Sequence, residues 1–334
     1  MVVIWEATRA CQLACRHCRA KAQRRPLPGE LDTEAARGLI DQVHDVQPGI
    51  FVITGGDPLE RADLWPLVRY AADTGLRTFL APSATPLLTR QALDAAAASG
   101  CAGIQLSLDG STAEVHDRFR GVRGTFERTM AAAGWSREAG LSLSVATTVT
   151  RENADDMPAI ARRVAEMGAR MWSVFFLVPT GRGRPEQEVD PAKAEEILRW
   201  LVEASQRLPF HIKTTEAPQI RRMVAHRPQA PSSGIGDGRG FIFVAFNGDV
   251  WPSGFLPITV GNVSEQPLGE IYRTAPLLQQ LRSPDALRGP RCGQCLHRAI
   301  CGGSRSRAYA HSGDPLGDDP LCAGVPQEEA ALRE

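Results

Sequence analysis

The chain has no excess of either charge. In 334 residues, 38 lysines and arginines face 38 aspartates and glutamates. No polycationic surface follows, so neither nucleic acid nor an anionic membrane is expected as a partner. Long apolar runs are also missing. The longest, such as Met171 to Val178, are strand-sized and far too short to span a bilayer. The N-terminus, Met-Val-Val-Ile-Trp-Glu, carries no basic region and no cleavage site, which argues against secretion and for a cytoplasmic protein. No internal repeat is visible. What is present is ordinary for a globular enzyme: 43% hydrophobic and 23% charged residues. That length buries a large core without disulfides and suits one α/β barrel with a modest appendage.

Against this background the eight cysteines stand out. Cys11, Cys15 and Cys18 form one tight group and Cys292, Cys295, Cys301 and Cys322 another, with Cys101 apart. Disulfide frameworks belong to small secreted domains, so grouped cysteines in a large cytoplasmic chain point to metal or redox chemistry. Cys101 follows Gly100 at a strand start and reads as a small buried hydrophobe.

From the start to about Ala204, short apolar runs alternate with amphipathic ones. Strands are predicted at Val2–Glu6, Ile50–Thr54, Arg77–Ala81, Gly103–Leu108, Leu143–Val149 and Met171–Val178. Helices are predicted at Thr33–Val46, Leu64–Thr74, Thr89–Ser99, Thr125–Ala139, Ala154–Met167 and Pro191–Gln206. Asp32, Thr89 and Asn153 are capping residues, and Gly75, Gly100, Gly140 and Gly168 mark helix ends. Six strand–helix units imply an α/β fold, a partial (βα)6 barrel of TIM type, with chemistry on loops at the C-terminal ends of the strands. Residues Thr214 to Gly240 are rich in Pro, Gly, Ser and Arg and read as a linker or covering loop. Phe241–Phe246 and Val250–Trp251 then flank Asn247-Gly248-Asp249, a hairpin signal, and a helix is predicted over Leu268–Leu281. The expected organisation is a barrel over residues 1–210, a linker over 211–240 and a small α+β iron–sulfur domain over 241–334.

Three thiolates on one short loop can hold three corners of a cubane cluster and leave one iron open. A structural zinc site would want four ligands, usually from paired CxxC hooks. His17 reads as a loop neighbour of the cysteines rather than a fourth ligand. CxxxCxxC at the end of the first strand of a βα repeat resembles the signature of the radical S-adenosylmethionine (SAM) superfamily. That resemblance implies a 4Fe–4S cluster on Cys11, Cys15 and Cys18 whose open iron chelates SAM, and a 5′-deoxyadenosyl radical that takes hydrogen from a substrate. It also implies a reductant such as flavodoxin or ferredoxin. Thr54-Gly55-Gly56-Asp57-Pro58 resembles the family's GGEP turn, with Asp for Glu, which places Gly55, Gly56, Asp57 and Pro58 at the cofactor's amino group. Ser107 and Asp109, ending the fourth strand, and Thr147, in the fifth, are further candidates for the cofactor's ribose and carboxylate.

In the second group, spacing alone leaves open a structural zinc or a fully ligated 4Fe–4S cluster on Cys292, Cys295, Cys301 and Cys322. The run CxxCx5C with a distant final cysteine is similar to SPASM and twitch auxiliary-cluster domains. Full SPASM domains carry further cysteines where this chain has Ser253 and Arg305, so one auxiliary cluster is expected. The text Cys-Gly-Gly-Ser-Arg-Ser-Arg-Ala-Tyr-Ala resembles the branch containing haem d1 and alternative haem biosynthesis enzymes. The expected substrate is a tetrapyrrole with carboxylate side chains, with Arg120, Arg123, Arg182 and Arg184 at the barrel mouth to pair them. The alternative is a ribosomally made peptide, against which stands a cluster motif so near residue 1 that no leader-binding domain precedes it. A zinc-binding interaction module is the rival of another class.

Overall fold

Short, nearly continuous apolar runs such as Val-Val-Ile-Trp-Glu and Ile-Phe-Val-Ile-Thr make strands covered on both faces, and their side chains alternate between the helix layer and a central cavity. The computed structural model describes residues 1–224 and 236–324. Its elements run β1 (Val2–Glu6), α1 (Thr33–Asp45), β2 (Ile50–Thr54), α2 (Leu64–Asp73), β3 (Thr78–Leu80), α3 (Arg90–Ala98) and β4 (Gly103–Ser107). They continue α4 (Ala113–Arg120), α5 (Thr125–Glu138), β5 (Ser142–Val149), α6 (Met157–Glu166), β6 (Met171–Phe176), α7 (Pro191–Ala204), β7 (His211–Thr215) and α8 (Ile220–Val224). The C-terminal part holds β8 (Phe241–Val244), β9 (Asp249–Trp251), β10 (Gly261–Asn262), α9 (Leu268–Thr274), α10 (Pro276–Arg282) and α11 (Arg305–Ser312).

One sheet joins all the strands, in the order β10-β9-β8-β1-β2-β3-β4-β5-β6-β7. The run from β8 through β1 to β7 is parallel. The two sheet edges, β7 and β10, stay unpaired with each other, so this is a partial barrel. The core lies between sheet and helices: Trp5, Phe51, Ile53, Ile104, Val145 and Trp172 are buried on the outward face against Leu39, Leu67, Ile160 and Leu201. Asp32 and Thr89 cap α1 and α3 by accepting from Ala35 N–H at 2.9 Å and Ala92 N–H at 3.2 Å.

Three expectations are corrected. The stretch read as a linker from residue 211 starts with a strand, β7, paired along β6, and continues into α8. Its remainder at 225–235 lies outside the described residues. The hairpin is not a separate sheet, because β8 lies parallel to β1 with Ile4 opposite Phe243. The helix expected over Leu268–Leu281 is two, split where Pro276 follows an extended Ala275 (ψ 123). A helix that the sequence reading did not contain, α4, is capped by Thr112 and ended by Gly121 at φ 71.

Candidate active site

The first cysteine group sits on the loop leaving β1, and neighbouring backbone holds that loop in place. Gly56 N–H donates to Thr8 C=O at 2.7 Å and Asp57 N–H to Ala10 C=O at 2.7 Å. A Cβ on Gly55 would meet Thr8 O at 2.5 Å, and one on Gly56 would meet Ala10 O at 2.3 Å. Only glycine permits so close an approach. From the other side, Arg182 N–H donates to Cys18 C=O at 2.9 Å. Cys11, Cys15 and Cys18 share one small cluster with Leu13 and Ala22. Backbone donors point at their sulfurs, Leu13 N–H at Cys11 Sγ (3.4 Å) and Ala22 N–H at Cys18 Sγ (3.5 Å). Amide–sulfur hydrogen bonds suit thiolates that ligate iron. Burial pushes Cys11 up to about 11 and raises Cys15 as well, so binding a cluster must displace protons.

Asp57 is fully buried and its carboxylate is taken: Thr85 Oγ1 donates at 2.7 Å, Leu59 N–H at 3.2 Å and Ser83 N–H at 3.3 Å. Burial lifts it to about 6 despite these donors. Its role in the structure is to shape the turn that Pro58 continues as a short 3-10 helix. Ser107 lies on the inward face of β4. Asp109 is buried, accepting from Thr148 N–H at 2.7 Å and ion-paired to Arg120. Arg120 in turn reaches Cys15 Sγ at 3.9 Å. Thr147 points the other way. Its hydroxyl donates to Leu108 C=O at 2.6 Å and accepts from Trp172 Nε1 at 2.8 Å, on the helix side of β5. The inward residues of that strand are Ala146 and Thr148, so Thr147 is placed as a brace and not on the cavity.

The arginines expected at the mouth are corrected likewise. Arg120 and Arg182 are used by the cysteine loop, Nη1 of Arg182 lying 3.4 Å from Ala22 O, while Arg123 and Arg184 are exposed. His116 is buried and accepts at Nδ1 from Asp109 N–H at 3.1 Å. Its burial holds it near 3, as neutral imidazole. His17 packs on Phe119 with ring centroids 4.3 Å apart. Sequence reading missed Glu6, fully buried at the end of β1 and paired with Arg9 (3.1 Å) and Arg19 (3.0 Å), because a lone Glu at a strand end carries no motif. It also missed Lys213, the inward cation of β7. A depression of about 540 Å³ lies outside the barrel beside the same loop, with Arg16, Arg118 and Arg123 and the acidic Glu114 and Asp117 in its lining.

The second cysteine group is organised by charged side chains. Asp318 accepts from Cys292 N–H at 2.7 Å and Asp319 from Ser304 N–H at 2.7 Å. Cys292 and Cys322 both lie within electrostatic reach of Cys301, and burial pushes Cys301 up to about 12. Cys295 joins through its N–H to Cys292 C=O at 3.4 Å, while His297 N–H points at its sulfur at 3.4 Å. Arg305 donates to Gly317 C=O at 2.7 Å and lies 3.8 Å from Cys292 Sγ. Ser253 meets Ser306 (Oγ···Oγ 3.1 Å), whose hydroxyl donates to Asp237 at 2.8 Å and to Glu216 at 3.3 Å. Among the described residues, no three His, Cys, Asp or Glu side chains converge closely enough for one metal ion.

Comparison with known proteins agrees with this geometry. The family model for the radical SAM superfamily matches residues 5–164, and the model described as an iron–sulfur cluster-binding domain, SPASM, matches residues 237–296. The second match includes Cys292 and Cys295 and stops short of Cys301 and Cys322. The chain is 38% identical over 348 residues to the AdoMet-dependent heme synthase of Nitratidesulfovibrio vulgaris, covering 99% of this chain and 94% of that protein. It is 31% identical to the pre-heme d1 synthase of Dinoroseobacter shibae, covering 96% and 85%. The solved structure of Streptococcus suis SuiB bound to S-adenosylmethionine superimposes with a TM-score of 0.76 at 18% identity, over 96% of this chain and 77% of that one. At that identity the likeness is one of fold.

Proposed function

Because this chain belongs to the radical SAM superfamily, we propose that it is a tetrapyrrole-modifying member, acting on a carboxylate-bearing side chain in haem-type biosynthesis. The observation that carries this reading is the full-length likeness to a heme synthase at 38% identity. It is a radical SAM iron–sulfur enzyme, and its cofactors are a 4Fe–4S cluster with SAM and a further cluster in the SPASM region. The zinc-binding interaction module is set aside by these matches.

Together, bound cluster and SAM supply a 5′-deoxyadenosyl radical, which abstracts hydrogen from the substrate. The protein's part is placement. Cys11, Cys15 and Cys18 hold the first cluster on a loop that Gly55, Gly56, Asp57 and Pro58 brace. That turn offers the cofactor's ammonium backbone carbonyl groups, since the Asp57 carboxylate is already occupied. Ser107 faces the cofactor from β4. Asp109 fixes Arg120 beside Cys15, where its charge stabilises a thiolate. Thr147 braces β5 from behind. Cys292, Cys295, Cys301 and Cys322 close the auxiliary cluster, and the serine–carboxylate network around Ser253 fills the place of another. A cytoplasmic flavodoxin or ferredoxin serves as reductant.

The test is anaerobic turnover of reconstituted enzyme with SAM, a reductant and iron porphyrins bearing propionates, read by mass spectrometry. A tetrapyrrole of altered mass, formed with 5′-deoxyadenosine, is the expected result. An unchanged porphyrin alongside modification of a short peptide encoded next to the gene would transfer the enzyme to the peptide maturases.

A further inference from the structure

The inward face of the barrel holds few charges, and most are answered. Glu6 is paired with Arg9 and Arg19, and Asp109 with Arg120. Lys213 is different. It sits in β7 opposite Ser173 of β6, which is opposite Ala146 of β5, which is opposite Ser107 of β4. Residues aligned across neighbouring strands share a face. The adjacent row fixes which face this is: Trp172 and Ile212 point outward, where Trp172 packs on Trp200 and Phe210 of the helix layer. Lys213 therefore points into the cavity, in the same row as Ser107 and about 14 Å along it, three strand spacings away.

Between the two lie only Ala146 and Ser173, so small side chains leave room along this row. Among the described residues no carboxylate or carbonyl oxygen is bonded to the Lys213 ammonium. Burial alone lowers its pKa, with no charged neighbour contributing. An ammonium held in a cavity without a counter-charge is costly. One row further along, Phe175 is partly exposed on the same face and pairs with Phe255 from the C-terminal part, their ring centroids 6.0 Å apart. An unanswered cation beside an aromatic wall is what a flat, apolar ligand with peripheral carboxylates requires.

We infer that Lys213 anchors a carboxylate of the substrate, the cation that sets the ring's position in the barrel relative to Ser107 and the cofactor. This rests on the tetrapyrrole reading and replaces the mouth arginines with one lysine on the wall. Long and flexible, its side chain reaches a carboxylate as a point charge, with no need for a bidentate fork.

The test uses the reconstituted holoenzyme and variants Lys213→Met and Lys213→Arg, titrated with an iron-free porphyrin propionate and with its uncharged propionamide counterpart. Lys213→Met is expected to weaken binding of the carboxylate form roughly 10- to 100-fold, as for a lost charge-assisted hydrogen bond, and to bind the amide as the wild type does. Lys213→Arg keeps most of the affinity. Without ligand, Lys213→Met should melt at a higher temperature, because an unpaired buried charge has been removed. Equal carboxylate affinity in wild type and Lys213→Met, or a lowered melting temperature, overturns the assignment and leaves the tetrapyrrole reading standing. Failure of the wild-type protein to bind either porphyrin overturns both.

Discussion

The two cysteine-bearing regions are held by opposite means. Around Cys11, Cys15 and Cys18 the contacts are largely backbone to backbone: the turn at Gly55 and Gly56 on one side and the Gly181-Arg182 segment on the other. Around Cys292 and Cys301 they run through charged side chains. Arg307 is 1% exposed, bonded to Phe176 and Leu177 carbonyls at the end of β6, to Glu216 C=O, and to Glu188 (2.9 Å) and Asp319 (3.4 Å). Backbone packing leaves the first loop's side chains free to face a ligand. The second region meets the open edge of the barrel, where β7 pairs with β6 on one side and, among the described residues, with no strand on the other, and is docked there by ion pairs. One region is built to present a site and the other to close a gap.

The largest expected effect separates the two directly. Replacing Cys11, Cys15 and Cys18 with Ala together should abolish 5′-deoxyadenosine formation, lower iron content by about half, and leave the spectroscopic signature of the other cluster intact. Loss of both clusters would mean the regions are not independent.

Next comes Arg307→Met. It leaves Asp319 without this cation and Glu188 to His311 (2.7 Å), so about 3–5 kcal/mol of stability should go, measured by denaturant unfolding. The auxiliary cluster should be lost before the first. A change below about 1 kcal/mol would show that ions do not dock the C-terminal part.

On the other side of the comparison, Asp57→Ala removes three hydrogen bonds from the turn that braces the first loop. SAM affinity measured by calorimetry should fall by roughly 1–3 kcal/mol. Asp57→Asn keeps the shape and should bind SAM nearly as well. If Asn is as damaging as Ala, the carboxylate charge itself contacts the cofactor.

The smallest effect is a pH dependence in the docking network. Glu216 is raised from 4.5 to about 8, first by burial and then by the charge of Asp237. The folded protein therefore holds a proton there that the unfolded chain releases. Its contribution to stability is greatest at low pH and declines as pH rises from about 4.5 to about 8. Glu216→Gln should flatten that decline in unfolding curves taken across the range; an unchanged slope would remove Glu216 as its source.

How much of this was legible in the sequence divides along the same line. Strands β1 to β6 and their helices follow from local periodicity, and the cysteine loop from spacing, because both signals lie within a few residues. β7 was hidden because its five residues, His-Ile-Lys-Thr-Thr, run into a Pro- and Gly-rich stretch, and Lys213 was hidden with it. The α4 helix buries only His116 and Phe119, too few apolar contacts to show a periodicity. The parallel pairing of β8 with β1 joins residues some 240 positions apart, and no local pattern announces it. Arg120 and Arg182 were recognised as functional but given the wrong partner, since sequence shows a charge and not what faces it.

In the proposed reaction hydrogen is taken from a carboxylate-bearing side chain of a tetrapyrrole held in the barrel. This step is tested most directly with a porphyrin substrate deuterated along its propionates, incubated anaerobically with the enzyme, SAM and a reductant. Mass spectrometry of the 5′-deoxyadenosine should show deuterium transferred in step with product. Product formed with deuterium-free 5′-deoxyadenosine would contradict the account, as would 5′-deoxyadenosine whose rate ignores the porphyrin.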